Sequence, residues 1–276
     1  MDRTLTSSSL RADLPQNAVW RGFAPALLRR FDMALTIANP VAGVPFKLRS
    51  VSHRRYYTYR KRSAVSVMQM CSLIRRGDTV LEVGGHIGCL SQFFARQVGP
   101  TGQVHVFEPG RAQQRLLRDN LAQHPQCAHV DAAVANRVGK AMFFEDGRGG
   151  FDDSLDPSMP NPETPPLHAT QPGRLIRDVH TVTLDDYATR LGLSPDFIKV
   201  DARGSELAVL QGARGVLQDC GAALITVSQQ SQAVRSLLHA AGFDLTTVEG
   251  TPIRSAAEMT GKVFAVRPGQ RLALTT

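Results

Sequence analysis

Cysteine is scarce and scattered. Cys71, Cys89, Cys127 and Cys220 stand far apart, which leaves no metal-ligand spacing and points to four reduced packing residues. No run approaches the ~18 apolar residues that a membrane helix needs. Met1 to Leu14 also lacks the apolar stretch of a signal peptide, so the expected compartment is the cytoplasm. Acids are nearly missing from the first part of the chain: residues 1–62 hold 12 Lys or Arg against 3 Asp or Glu, a balance of +9, whereas the remainder holds 20 against 21, or −1. The formal charge of +8 therefore belongs to a basic N-terminal extension. Its densest stretch, His53-Arg54-Arg55-Tyr56-Tyr57-Thr58-Tyr59-Arg60-Lys61-Arg62, interleaves cations with aromatics, a composition open to nucleic acid, an acidic substrate or a plain solvated face.

What the chain does contain is centred on Thr79-Val80-Leu81-Glu82-Val83-Gly84-Gly85-His86-Ile87-Gly88. The first five residues are mostly apolar and β-branched, as in a strand covered on both faces of a parallel sheet. Gly84, Gly85 and Gly88 then allow a sharp turn and a close backbone approach, and Leu90, Phe93, Phe94 and Val98 have helical spacing. A helix starting there aims free N–H groups at whatever sits over the turn. The next strand, Gln103 to Phe107, ends in Glu108, 24 residues beyond Gly84, where an acid accepts hydrogen bonds from ribose hydroxyls.

The Gly-x-Gly-x-x-Gly fingerprint of dinucleotide sites is absent, because His86 stands where the second glycine belongs. Glu82 beside the turn disfavours a phosphate and favours an ammonium or sulfonium. Ribose diol, ammonium, sulfonium and carboxylate together describe S-adenosylmethionine; the competing reading is a tight strand-to-helix connection without a ligand.

In chain order, the spacing of Phe23, Leu27, Phe31 and Leu35 predicts helix within Val19 to Ile37, and Phe46 to Tyr59 is strand-like. This N-terminal piece either covers a site or packs on the domain's flank. Residues 63–276 form the expected main domain: helix Ala64–Ile74, helix Arg111–Gln123, strand Ala128–Val134, strand Ala141–Glu145, a capped helix after Thr183, strand Asp196–Val200, helix Ser205–Leu217, strand Ala222–Val227, helix Ala233–Ala241, and a closing pair, Leu245–Val248 with Val263–Val266. Asp131 could meet an adenine amino group or be a surface acid. Six of the 16 prolines fall between Pro157 and Pro172, which makes 146–177 either a lid or a surface insertion. Strands alternating with helices imply a doubly wound, mostly parallel α/β sheet.

Val80 to Gly88, Val106 to Pro109, Thr183-Leu184-Asp185-Asp186-Tyr187 and the run Phe197-Ile198-Lys199-Val200-Asp201-Ala202-Arg203-Gly204-Ser205-Glu206-Leu207-Ala208-Val209-Leu210-Gln211-Gly212-Ala213 resemble the FkbM-type S-adenosylmethionine-dependent methyltransferases. The resemblance covers about residues 63 to 266. It implies a seven-stranded Rossmann-like sheet of the class I methyltransferase type with an antiparallel final strand, and O-methylation of hydroxyls on sugars or natural products. Carried over by position, Glu82, Gly84 and Gly88 would hold the methionine part, with Gly85 in the same turn, Glu108 the ribose, and Asp201 would lie near the methyl group.

Three departures bear on catalysis. The family usually has Asp-Val-Glu-Gly where this chain has Asp201-Ala202-Arg203-Gly204, it tends to carry an acid where this chain reads Thr226-Val227-Ser228, and His86 stands in a place usually held by Asn. Asp201 and then His86 are the candidate general bases; Asp201 could equally cap a helix or hold Lys199 or Arg203. Arg203, if it faces the acceptor, would favour an acidic one. The rival classes are a degenerate cofactor-binding protein, a nucleic-acid methyltransferase and a nicotinamide-dependent oxidoreductase.

Overall fold

The computed structural model describes residues 32–146, 149–158, 175–270 and 272, with backbone only at 60–62. Among the described residues, seven strands form the central sheet: β3 (Thr79–Val83), β4 (Gln103–Phe107), β5 (Cys127–Val130), β9 (Phe197–Val200), β10 (Ala222–Val227), β11 (Asp244–Thr247) and β12 (Gly261–Val266). Their order is β5-β4-β3-β9-β10-β12-β11. β3, β4, β5, β9 and β10 pair in parallel, and β12 lies antiparallel between β10 and β11. This is the doubly wound sheet with an antiparallel final strand that the resemblance implies. The strand order turns between β3 and β9, where an open α/β sheet has its crevice at the carboxyl ends of the strands.

β3 and β9 are buried and, apart from Glu82 and Lys199, largely apolar, because helices cover both faces of the sheet. On one face α2 (Cys89–Val98) buries Leu90, Phe93, Phe94 and Val98, the four residues its spacing singles out. On the other, α4 (Leu184–Leu191), α5 (Glu206–Gln211), α6 (Val216–Asp219) and α7 (Ser231–Ala240) pack over β9 and β10. Thr183 caps α4 by accepting the Asp186 N–H at 3.1 Å. α3 (Arg111–Leu121) buries Leu117 and Leu121 beside α2.

Several elements differ from the sequence reading for tertiary reasons. The strand-like stretch is a strand only in β2 (Pro45–Arg49), paired with β1 (Ala34–Ala38); a 3-10 turn, Arg54–Thr58, then runs into α1 (Tyr59–Leu73). The Asp32 carboxylate closes the turn after β2, accepting the N–H groups of Val51 and Ser52 at 2.9 and 3.1 Å. The helix expected within Val19 to Ile37 meets β1 at its end, and its part up to residue 31, with residues 1–18, lies outside the described residues. Ala128–Val134 divides into β5 and β6 (Ala133–Val134), and Ser205–Leu217 breaks after Gln211 into α5 and α6.

The β1–β2 hairpin is tied to the domain. Asn39 donates to the Cys89 carbonyl at 2.9 Å and to Gln92 Oε1 at 2.8 Å, and Asn120 clasps both backbone groups of Lys47. Phe46 and Leu48 are buried with Tyr56, Ile87 and Cys89, against the turn that follows β3. A small second sheet, β6-β8-β7, contains β7 (Gly139–Glu145) and β8 (Leu175–Val182), which pair antiparallel. Between these two strands residues 149–156 form a strap. Phe144 and Ser154 exchange backbone hydrogen bonds at 2.8 and 3.0 Å, and the Asp146 carboxylate accepts the N–H groups of Gly149, Gly150 and Asp152. The proline-rich stretch from 159 to 174 lies outside the described residues. No helix among those described is long and apolar enough to cross a membrane.

Candidate functional site

The carboxyl ends of β3, β4 and β9, the 3-10 turn with the start of α1, and the strap enclose one cleft of about 940 Å³, its mouth included. Glu82, Gly84, Gly85, His86, Glu108, Asp201 and Arg203 line it together. These residues come from three separate stretches of sequence, brought side by side by the parallel pairing of β3 with β4 and β9. Gly88 and Asp131 are not among the lining residues. Gly88 starts α2 at φ +88°, where a Cβ would press on Leu117, so it serves the packing of α2 on α3. Asp131 is exposed and accepts a hydrogen bond from Gln114.

Two of the glycines are needed by the sheet itself. Gly84 has φ +78°, and a Cβ there would overlap the Asp201 carbonyl oxygen; one on Gly85 would overlap Val106. The turn is fixed by the Gly84 and Gly85 N–H groups donating to the Phe107 carbonyl at 3.0 and 3.2 Å. Lys199, from β9, is buried beneath it and donates to the carbonyls of Gly84 at 2.6 Å and Val83 at 3.3 Å. Its ammonium also lies 3.7 Å from Glu82 and 3.9 Å from Asp201. Ser91 donates to the second Glu82 oxygen at 2.5 Å. Burial pushes the Glu82 carboxyl up, and Lys199 pulls against this. Sequence reasoning offered Lys199 only as a partner of Asp201; its contacts with Glu82 and with the carbonyls of the glycine turn were not foreseen.

Glu108 is buried, and each of its oxygens already accepts a backbone N–H: Oε1 from Gly110 and Oε2 from His86, both at 2.7 Å. Burial pushes its carboxyl up to about 7, and those two donors pull the other way. An acid raised in this way holds a proton that the unfolded chain, at about 4.5, does not. The stability it contributes is complete below 4.5 and is lost as pH rises through about 7. A hydroxyl donor prefers the ionised acceptor, so ligand affinity should rise over the same window. Thermal melts and titrations with S-adenosylhomocysteine on either side of pH 7 check both signs; trends in the same direction would contradict this account of Glu108.

His86 adopts φ +52° and is half-buried at the cleft. Its Nε2 faces the Gly149 carbonyl, which can only accept, so Nε2 carries the proton and Nδ1 accepts from the Tyr56 hydroxyl at 2.8 Å. Burial pushes its pKa down to about 3, which keeps the ring neutral. Phe151 of the strap stacks on it with ring centroids 4.4 Å apart, and the Arg55 guanidinium lies 4.8 Å from the Phe151 centroid. Asp201 is the most open of the acids at the cleft, its side chain 40% exposed, with Lys199 beside it. Arg203 has φ +33° and pairs with Asp152 of the strap, whose other oxygen is 3.9 Å from Arg55. Burial and the neighbouring Arg55 lower the pKa of Arg203. In the basic cluster, His53 and Tyr56 are buried and Tyr59 is half-buried at the cleft, which leaves Tyr57 as the exposed aromatic.

The sheet order, with its antiparallel strand between β10 and β11, is that of the class I methyltransferase fold. The family profile described as "Methyltransferase FkbM domain" matches residues 82–245, more than half of the chain. The chain belongs to the FkbM methyltransferase family, whose methyl donor is S-adenosylmethionine. Among curated proteins it resembles the ubiquinone/menaquinone biosynthesis C-methyltransferase UbiE of Escherichia fergusonii, 34% identical over 76 residues, 28% of this chain and 30% of that protein. The UbiE of Hydrogenovibrio crunogenus is 33% identical over 86 residues, 31% of this chain and 32% of that protein. The chain thus spans about a third of the length of the curated relatives it matches. Among solved structures, fibrillarin of Aeropyrum pernix with bound S-adenosyl-L-methionine has 12% identity and a TM-score of 0.46, covering 84% of this chain and 89% of that one. An S-adenosylmethionine-dependent O-methyltransferase of Thermotoga maritima has 13% identity and a TM-score of 0.42, covering 76% and 67%.

Proposed function

We propose that this methyltransferase transfers the methyl group of S-adenosylmethionine to a hydroxyl of a sugar or natural-product small molecule. The observation that carries the reading is the shared cleft of Glu82, Lys199, Glu108 and Asp201, which offers a suitable partner for each polar part of the donor and an open acid beside it.

The buried polar groups fit the donor. Glu108 retains lone pairs for the ribose hydroxyls after accepting its two backbone N–H groups. Glu82 and Lys199 match the ammonium and carboxylate of the amino-acid end. When bound, the donor supplies a methyl group on a positively charged sulfur. The chain's task is to align the acceptor with that group and to keep water away. Asp201 takes the hydroxyl proton in this reading. His86 has both ring nitrogens occupied and a depressed pKa, so its part is to position, through its backbone N–H, the Glu108 carboxylate. Arg203 already has Asp152 as a counter-ion, which favours a neutral acceptor over an acidic one.

Asp201→Asn keeps the side chain's size and removes the proton acceptor. We expect kcat to fall about 100-fold, near the low end of what a general base contributes, while affinity for S-adenosylhomocysteine stays unchanged. An unaltered kcat would remove Asp201 as the base. The acceptor class is tested with methyl-labelled donor and a panel of glycosides and natural-product alcohols. Label recovered in a methyl ether supports the reading, and label recovered only in RNA contradicts it. Absence of any transfer would favour the degenerate, cofactor-holding alternative suggested by the family acids missing at Arg203 and within Thr226-Val227-Ser228.

A further inference from the structure

The strap adds an acid to the cleft that the sequence did not single out. Asp153 lines the cavity beside Glu108. A side chain begun at Gly110 would start 2.7 Å from Glu108 Oε1 and 3.0 Å from Asp153 Oδ2, which makes the two carboxyl groups near neighbours on one wall. Asp153 Oδ1 accepts the Asp146 N–H at 2.6 Å, an anchor that turns the other oxygen towards Gly110 and Glu108. Oδ2 has no protein hydrogen-bond partner among the described residues. Ser154 next to it donates to the Arg203 carbonyl, and Asp152 pairs with the Arg203 guanidinium, so both neighbours of Asp153 are fastened across the cleft.

We propose that the vicinal ribose diol of the donor is held by a carboxyl pair, Glu108 from the end of β4 and Asp153 from the strap, so that donor binding and the seating of the strap are one event. This rests on the S-adenosylmethionine reading above. A vicinal diol presents two hydroxyls about 3 Å apart, each able to donate and to accept. A lone carboxylate whose oxygens both receive backbone N–H groups meets that need only in part. A second carboxyl supplies the remaining acceptor or, when it keeps its proton, a donor to a ribose oxygen. Burial, with Asp146 and Glu108 close by, pushes the Asp153 carboxyl up to about 8, so that the pair shares protons near neutral pH instead of carrying two charges. Asp131, the acid the sequence suggested for the adenosine, is exposed and bonded to Gln114.

The test compares full-length wild type, Asp153→Asn and Asp131→Asn by calorimetric titration with S-adenosylhomocysteine and with its 2′-deoxyribose analogue, alongside thermal melts. Asn retains the bond to the Asp146 N–H, so the strap should keep its shape. At pH 9, where the Asp153 carboxyl has lost its proton and can only accept, the expected result is a loss of about tenfold in affinity for S-adenosylhomocysteine in Asp153→Asn, the size of one hydrogen bond to a buried polar partner. The Tm should not fall, the penalty for losing the 2′-hydroxyl should shrink, and Asp131→Asn should match wild type. A merely structural residue would lower Tm and weaken both ligands alike, which would overturn the proposal, as would wild-type affinity in Asp153→Asn. If wild type bound neither ligand, the donor reading itself would fall and the pair with it.

Discussion

Glu108→Ala should lower affinity for S-adenosylmethionine and S-adenosylhomocysteine about 1000-fold while leaving the protein folded. The ionised carboxylate would accept from ribose hydroxyls, and hydrogen bonds to a charged group contribute about 1.5–3 kcal/mol each. The substitution also strands the N–H groups of Gly110 and His86, which now donate to Glu108 at 2.7 Å. The apo protein loses a buried carboxyl raised by its surroundings, so its stability should change little. Titration calorimetry gives the affinity and a thermal melt gives the fold. Affinity within threefold of wild type would show that the ribose is held elsewhere.

Gly84→Ala should cost about 2–5 kcal/mol of folding stability, equivalent to about 30-fold to 5000-fold in the folding equilibrium. Two terms add. A left-handed conformation costs an alanine about 1–2 kcal/mol, and overpacking a rigid neighbour costs about 1–3 kcal/mol. Here the neighbour is the Asp201 carbonyl at the end of β9, and the Asp201 N–H is already committed to the Val83 carbonyl at 3.0 Å, so this part of the backbone has little room to withdraw. Urea unfolding measures the loss. If the variant folds, displacement of Asp201 should reduce turnover beyond any change in donor affinity. Wild-type stability would mean that the turn yields easily.

Both predictions concern the part of the molecule that was most readable from sequence. Thr79 to Val83, the glycine turn and Glu108 are local features whose meaning is set by strand-turn-helix geometry, and they stand where the spacing placed them. The closing pair was readable as two short apolar runs, and its antiparallel sense, seen in Leu245 opposite Ala265, was what the family resemblance implied. Asp131 was ambiguous because an acid after a strand can point inwards or outwards, and only the contact with Gln114 decides.

The strap was readable only as part of a stretch, 146–177, that could be a lid or a surface insertion. Its course depends on the pairing of β7 with a strand that begins 30 residues further on, at Leu175, and on one carboxylate, Asp146, gathering three backbone N–H groups. Proline counting described the stretch that follows and concealed Phe151, Asp152 and Asp153, which reach the cleft or its rim. For the same reason the role of Arg203 was open: its counter-ion is 51 residues away in sequence. The N-terminal tyrosines were read as a basic-aromatic cluster because their burial comes from Phe46 and Ile87, and no local pattern announces that contact.

The measurement that tests the central claim most directly is calorimetric titration of the full-length protein with S-adenosylmethionine and S-adenosylhomocysteine, with NADH as control. The account predicts one site that binds both sulfur ligands, excludes NADH and is lost in Glu108→Ala. Binding of NADH in preference to either, or no binding of the sulfur ligands at all, would contradict it.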